Sequence, residues 1–108
     1  MAMALSTRQI PLNEQNAKKQ ARLLKALADP TRLRLLSKLS KYADEVCVKE
    51  IVENFTLEQP TISHHLRILQ DAGLVEGLKR GLFVYYYVCQ DTISRAQGYI
   101  EALTESEG

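Results

Sequence analysis

Gln59-Pro60-Thr61-Ile62-Ser63-His64-His65-Leu66-Arg67-Ile68-Leu69-Gln70-Asp71-Ala72-Gly73 is the stretch that decides the fold. Ile62, Leu66 and Leu69 stand at i, i+4 and i+7, the spacing of one apolar helix face. Pro60 suits a first helical turn, where a missing N–H costs nothing, and Gly73 supplies the stop. At 100° per residue His64, Arg67 and Asp71 point away from the apolar face, with Thr61 and Ser63 flanking them. His65 falls nearer the apolar edge, where it can pack or bond locally.

Working outward, Val48, Ile51, Val52 and Phe55 give a short preceding helix one apolar face, ending near Asn54. Thr56-Leu57-Glu58 connects the two, and two short helices joined by a tight turn make a helix-turn-helix. Cys47-Val48 reads either as a short extended piece or as the start of that preceding helix. After Gly73 the texture changes. Leu74 to Leu78 and Leu82 to Val88 flank Lys79-Arg80-Gly81, and Phe83-Val84-Tyr85-Tyr86-Tyr87-Val88 is β-branched and aromatic throughout. The expectation is a two-stranded hairpin with a basic tip.

Toward the N-terminus, Met1 to Leu12 lacks a clear period and is expected to be a flexible segment. From Asn13 the pattern is helical, with Ala17, Ala21, Leu24 and Ala28 as its stripe and Leu23 and Leu27 beside them. Asp29-Pro30 ends that helix and caps the next, whose stripe is Leu33, Leu36 and Leu39. Ile93, Ala96, Ile100 and Leu103, flanked by Tyr99, describe a last amphipathic helix. The predicted class is α+β, mainly α: about five helices and a two-stranded wing, with residues 13–105 as one domain for DNA binding and dimerisation.

The 108 residues carry a net charge of only +1, so any nucleic-acid surface must come from local arrangement. Lys18, Lys19, Arg22, Lys25, Arg32, Arg34, Lys38, Lys41 and Lys49 crowd the first half, whereas Glu101, Glu105 and Glu107 mark the tail. Two Cys are too few for a disulfide-stapled secreted fold, and they fit free thiols in a reducing compartment. No apolar run is long enough to span a bilayer, and no signal peptide is evident, which predicts a cytoplasmic protein. No nucleophile-base pair, phosphate-cradling Gly loop or paired acids share one plausible site, so an enzyme is not expected.

Hydroxyls, imidazole and guanidinium on one exposed helix face suit a DNA major groove, where Arg pairs bidentately with guanine and Ser or Thr reads a base or a phosphate. Lys79 and Arg80 at a turn are placed to straddle the backbone or enter a minor groove. The expected DNA contacts are Gln59, Thr61, Ser63, His64, His65, Arg67, Lys79 and Arg80. A solvated helix face and a merely hydrophilic turn are the bland alternatives. Helix and basic hairpin in succession favour DNA.

Leu27-Ala28-Asp29-Pro30-Thr31-Arg32-Leu33-Arg34-Leu35-Leu36 resembles the opening signature of the ArsR/SmtB family of winged-helix repressors. Gln59 to Leu69 resembles their recognition helix. Asp71-Ala72-Gly73-Leu74-Val75 with Gly81-Leu82-Phe83-Val84-Tyr85-Tyr86 resembles their wing. The likeness spans roughly residues 20 to 100. It implies a homodimer built on the first and last helices, with Ala21, Leu24, Ala28, Ile93, Ile100 and Leu103 at the interface. It also implies a palindromic double-stranded operator, and an inducer that weakens DNA binding.

Family members sense soft ions through a Cys-Val-Cys pattern at the third helix. Here the segment is Glu45-Val46-Cys47-Val48-Lys49, so only the first thiol is present. The paired Asp and His of the family's last-helix zinc-like site are not matched either, since Asp91 and Glu101 are there without His. Cys47 and Cys89 are therefore the candidate sensor, for arsenite or another soft metal ion, or for oxidation. Both could equally be small buried apolar residues. A repressor with no inducer and a winged helix used only for protein interaction remain the alternatives.

Overall fold

The structure is a computed structural model that describes residues 13–40, 46–53 and 56–105, with the backbone alone at 46–48 and 52. Asn13 opens the first helix, α1 (Glu14–Leu27), by accepting the N–H of Asn16 on its side chain at 2.8 Å. Asp29 caps α2 (Pro30–Ser40) in the same way, its carboxylate accepting the N–H of Arg32 at 3.1 Å. A two-residue strand, β1 (Val46–Cys47), leads directly into α3 (Val48–Glu53), so both readings of Cys47-Val48 hold, one for each residue. Next come α4 (Gln59–Asp71), β2 (Val75–Arg80), β3 (Phe83–Val88) and α5 (Gln90–Thr104). Among the described residues, five helices and an antiparallel hairpin make a winged helix-turn-helix.

The stripe of α4 is buried as its spacing demanded. Ile62, Leu66 and Leu69 are all fully enclosed, together with Leu35, Leu74 and Val75. Leu23, Ala26, Leu36, Leu39, Ile51 and Ala96 complete the core. Elsewhere the stripes rotate. In α1 the chain's own core takes Leu23 and Ala26, with Gln20, whereas Ala21 and Ala28 are exposed. In α2 it is Leu35, not Leu33, that joins Leu36 and Leu39 inside. In α5 the buried residues are Ala96, Gly98, Tyr99 and Ala102, and Ile100 and Leu103 face outward, 48% and 58% exposed. The reason is common to α1 and α5: each carries apolar residues on two faces, and one chain's core covers only one of them.

Helix α4 stops in a Schellman arrangement. Gly73, at φ +80°, donates its N–H to Gln70 O, and Leu74 donates to Leu69 O, both at 2.9 Å. The buried side chains of Leu69 and Leu74 supply the hydrophobic contact that goes with this motif. Leu74 O then accepts the N–H of Cys89 at 2.9 Å, which joins the end of α4, the base of the hairpin and the start of α5.

The sheet has the order β1-β3-β2, so a third short strand is added to the expected hairpin. Val75 pairs with Val88, and the register runs outward to Arg80 opposite Phe83. The turn is Gly81-Leu82, shorter than expected. Gly81 takes φ +64° and Leu82 does not have positive φ, the pattern of a two-residue II′ turn. Lys79 and Arg80 are consequently the last residues of β2 rather than the tip itself. The segments Met1 to Leu12, Lys41 to Glu45 and Asn54-Phe55 lie outside the described residues, as do the side chains of Val48 and Val52. Of the stripe expected on α3, Ile51 is seen buried.

Leu66→Ala should cost about 2–5 kcal/mol, because it removes a side chain from a site with no room to collapse. Urea unfolding followed by circular dichroism measures this directly. A loss below about 1 kcal/mol would contradict the packing described for α4.

Candidate nucleic-acid interface

Burying one face of α4 fixes what the other presents. Gln59, Thr61, Ser63, His64 and Arg67 are all exposed, as is Asp71 near the helix end. The first turn opens on Glu58 in extended conformation, with Thr61 and Ile62 both donating N–H to Glu58 O at 3.1 Å. Arg67 is the one cation of α4, and it stands on the outward side. The wing contributes the other two expected cations, Lys79 and Arg80, both exposed.

In an antiparallel pair, residues opposite one another share a face and successive residues alternate. Lys79 and Val84 therefore lie on the side of the hairpin that carries Val75 and Tyr86, toward the core. Arg80 and Phe83 lie on the other side with Leu78, Tyr85, Glu76 and Tyr87. There Tyr87 donates its hydroxyl to Glu76 at 3.0 Å, and the Arg80 guanidinium stands 5.8 Å from the Tyr85 ring. The two wing cations thus project from opposite faces of one stiff hairpin.

His65 occupies a different environment from His64. Its side chain is only 15% exposed and meets α2. Arg32 Nη1 lies 3.3 Å from His65 Nδ1, and its Nε donates to Ala26 O at 2.6 Å. A guanidinium has donors only, so this contact is a hydrogen bond when the ring is neutral with its proton on Nε2. Arg32 also reaches Lys25 O at 3.4 Å. One side chain thereby closes the carbonyl end of α1 and braces α4. The sequence shows Arg32 only as one of the cations crowding the first half, because a contact 33 residues distant leaves no local periodicity. Arg32, Asp29 and His65 form a small cluster, with Asp29 Oδ2 4.0 Å from His65 Nδ1.

Asp29 is held below the ordinary carboxylate range. The N–H of Arg32 contributes most, against partial burial, and the charges of Arg32 and His65 and the N–H of Thr31 add to it.

The two candidate thiols are set apart. Cys47 pairs with Tyr85 across β1 and β3. Cys89 lies four residues further along the chain, or about 13 Å at strand rise. A disulfide needs Cα atoms within roughly 7 Å, so one chain does not bring these residues together. Burial pushes the Cys89 thiol up, and the Glu76 carboxylate adds to the shift, which lowers its thiolate fraction. Among the described residues no three His, Cys, Asp or Glu side chains converge on a metal-sized site.

A helix braced at its middle by Arg32 and closed at its C-terminal end, an outward face of hydrogen-bonding side chains and a basic two-stranded wing beside it define a winged helix-turn-helix DNA-binding module. Residues 29–77 match the model of the bacterial regulatory protein arsR family. An uncharacterised HTH-type transcriptional regulator of Methanocaldococcus jannaschii, MJ1325, is 39% identical over 85 residues, covering 79% of this chain and 94% of that one. The arsenical resistance operon repressor of Staphylococcus xylosus is 42% identical over 64 residues, 59% of this chain and 60% of that one. Among solved structures, HlyU from Vibrio cholerae superposes with a TM-score of 0.68 at 31% identity, covering 86% of this chain and 98% of that one. The chain belongs to the arsR family of transcriptional regulators, DNA-binding proteins rather than enzymes.

The lowered carboxyl of Asp29 makes a signed prediction. A depressed native pKa stabilises the fold above the unfolded value of about 3.9, and that stability is lost as pH falls through the native pKa. Asp29→Asn, which can still cap α2, should therefore lower the melting temperature at pH 7, and the difference should shrink as pH falls from the unfolded value of about 3.9 through the lowered native pKa. A series of thermal melts from pH 7 into acid tests it. A constant difference across the range would show that the charge on Asp29 plays no part.

Proposed function

We propose that the protein is a homodimeric, sequence-specific repressor that binds a palindromic double-stranded operator through α4 and the wing. The observation that carries this reading is the division of α4 between a fully buried apolar stripe and an exposed face of Gln59, Thr61, Ser63, His64 and Arg67. In helix-turn-helix docking the outward face of the second helix enters the major groove. Arg67 is assigned to guanine, the hydroxyls to bases or phosphates, and Lys79 and Arg80 to the backbone. His65 is assigned a contact through Nε2 while Arg32 holds its Nδ1.

Residues 13–105 act in this reading as one DNA-binding and dimerising domain in the cytoplasm. The dimer is assigned to α1 and α5, which pack side by side. Ala21, Ala28, Ile100 and Leu103 are exposed apolar positions on that pair of helices, with Leu24 and Ile93 partly covered beside them. Two-fold symmetry would present two copies of α4 to successive major grooves. No helix of the described residues is long and apolar enough to cross a membrane.

Release is assigned to the thiols, by arsenite or another soft metal ion or by oxidation. The similarity to an arsenical resistance operon repressor supports the ion. Since Cys47 and Cys89 are separated within a chain, a two-thiolate site needs sulfurs from different subunits, or ligands beyond these two. Of the pair, Cys47 stands at the family's ligand position, and burial disfavours ionisation of Cys89.

Arg67→Ala should weaken binding by about 1–3 kcal/mol and relax preference at one base pair. Lys79→Ala with Arg80→Ala should instead weaken binding to all sequences and reduce the salt slope by about 2. Fluorescence anisotropy on an operator selected from random duplexes reads both effects. Enrichment of no duplex, at any salt, would remove the repressor reading and leave a protein-interaction module.

Arsenite added to the reduced complex should release the operator, and the Cys47→Ser protein should keep it bound. Retention of the operator by the parent under both arsenite and a mild oxidant would make both thiols structural.

A further inference from the structure

The apex of the wing is apolar. Leu82 is 94% exposed at the second central position of the Gly81-Leu82 turn, where polar residues or glycine are the usual occupants. Phe83 and Leu78, both substantially exposed, follow it down the outer face of the hairpin. Nothing in the described fold uses Leu82: it touches no core residue and lies at the far end of the hairpin from Val75 and Val88.

Three further features narrow what it meets. The positive φ of Gly81 sets the turn geometry, and hydrogen-bonded pairing from Val75–Val88 to Arg80–Phe83 holds the hairpin as a unit. The pleat sends Lys79 to one face and Arg80 to the other, so the apolar apex is flanked by a cation on each side. A complementary surface must therefore offer two walls of negative charge with a less polar floor between them. The minor groove of duplex DNA does this. Phosphates line both of its edges, sugars form its walls, and its width of about 6 Å admits a side chain or a turn but not a broad element. Apolar side chains inserted there part a base step and bend the duplex toward the major groove.

We propose that Leu82 is an apolar minor-groove wedge, placed by Lys79 and Arg80 on the two flanking phosphate strands, and that it bends the operator at the outer edge of each half-site. The proposal rests on the DNA-binding reading above. It assigns to the wing a readout of deformability, with flexible pyrimidine–purine steps such as TA or CA favoured under the apex, although the wing forms no hydrogen bond to those bases.

The test uses the full chain and the operator selected by the parent. Anisotropy gives affinity and salt slope, and energy transfer between dyes at the two duplex ends gives the bend. Leu82→Ala should leave thermal stability unchanged, weaken operator binding about tenfold, reduce the bend and keep the salt slope, because no phosphate contact is lost. Leu82→Asp should weaken binding further. Replacing a TA or CA step under the apex with a stiff A-tract should weaken the parent and leave Leu82→Ala indifferent.

Parent-like affinity and bend in both Leu82 variants would overturn the wedge while leaving the repressor reading in place. Failure of the parent to select any duplex would overturn both. Altered oligomeric state of Leu82→Asp by gel filtration, with DNA bending unchanged, would assign the apex to a second copy of the chain instead.

Discussion

The enclosure of Ile62, Leu66 and Leu69 against Leu35, Leu74 and Val75 is the constraint on which the rest depends. Turning α4 by one residue would expose this stripe and bury Thr61, Ser63 or Arg67 without partners, at the cost that buried unpaired polar groups carry. The orientation of the outward face is therefore decided by packing alone, before any DNA is present. Leu74 extends the same constraint to the wing and to α5. Its side chain is buried, its N–H closes α4, and its carbonyl holds Cys89. The hydrogen bonds and side chain of Leu74 thus join α4, the hairpin and α5 in one frame.

Arg32 supplies a second brace from the opposite side. It binds the carbonyl end of α1 and the ring of His65 on α4. The helix assigned to dimerisation is thus tied to the helix assigned to DNA by named hydrogen bonds. The outward face of α4 and the wing are built in full within one chain, whereas the backbone of that chain holds Cys47 and Cys89 apart.

Much of this was legible in the sequence. The i, i+4, i+7 stripe of α4, the cap at Asp29, the stop at Gly73 and the aromatic strand Phe83–Val88 all rest on local chemistry, and each is present. The stripes of α1, α2 and α5 were less well read. Ala21, Leu33, Ile100 and Leu103 are apolar and correctly spaced, yet face outward, because periodicity shows that a face is apolar and not which neighbour covers it. The hairpin was displaced by two residues at its tip. Lys79-Arg80-Gly81 reads as a polar turn, but a glycine with positive φ allows a two-residue turn that keeps both cations in the strand and leaves Leu82 at the apex. The Arg32–His65 contact and the pairing of Val46–Cys47 with β3 depend on distant partners, so local pattern offers at most an extended Cys47 and no partner for it.

The central claim is that one surface, made of the outward face of α4 and the wing, reads the duplex. Backbone amide chemical shifts of the labelled protein, followed by nuclear magnetic resonance as the selected operator is added, test it most directly. The largest changes are expected at Thr61, Ser63, His64, Arg67 and from Lys79 to Phe83, with Leu35 and Leu39 in the core little affected. Changes concentrated on the exposed residues of α1 and α5, with α4 and the wing silent, would contradict it.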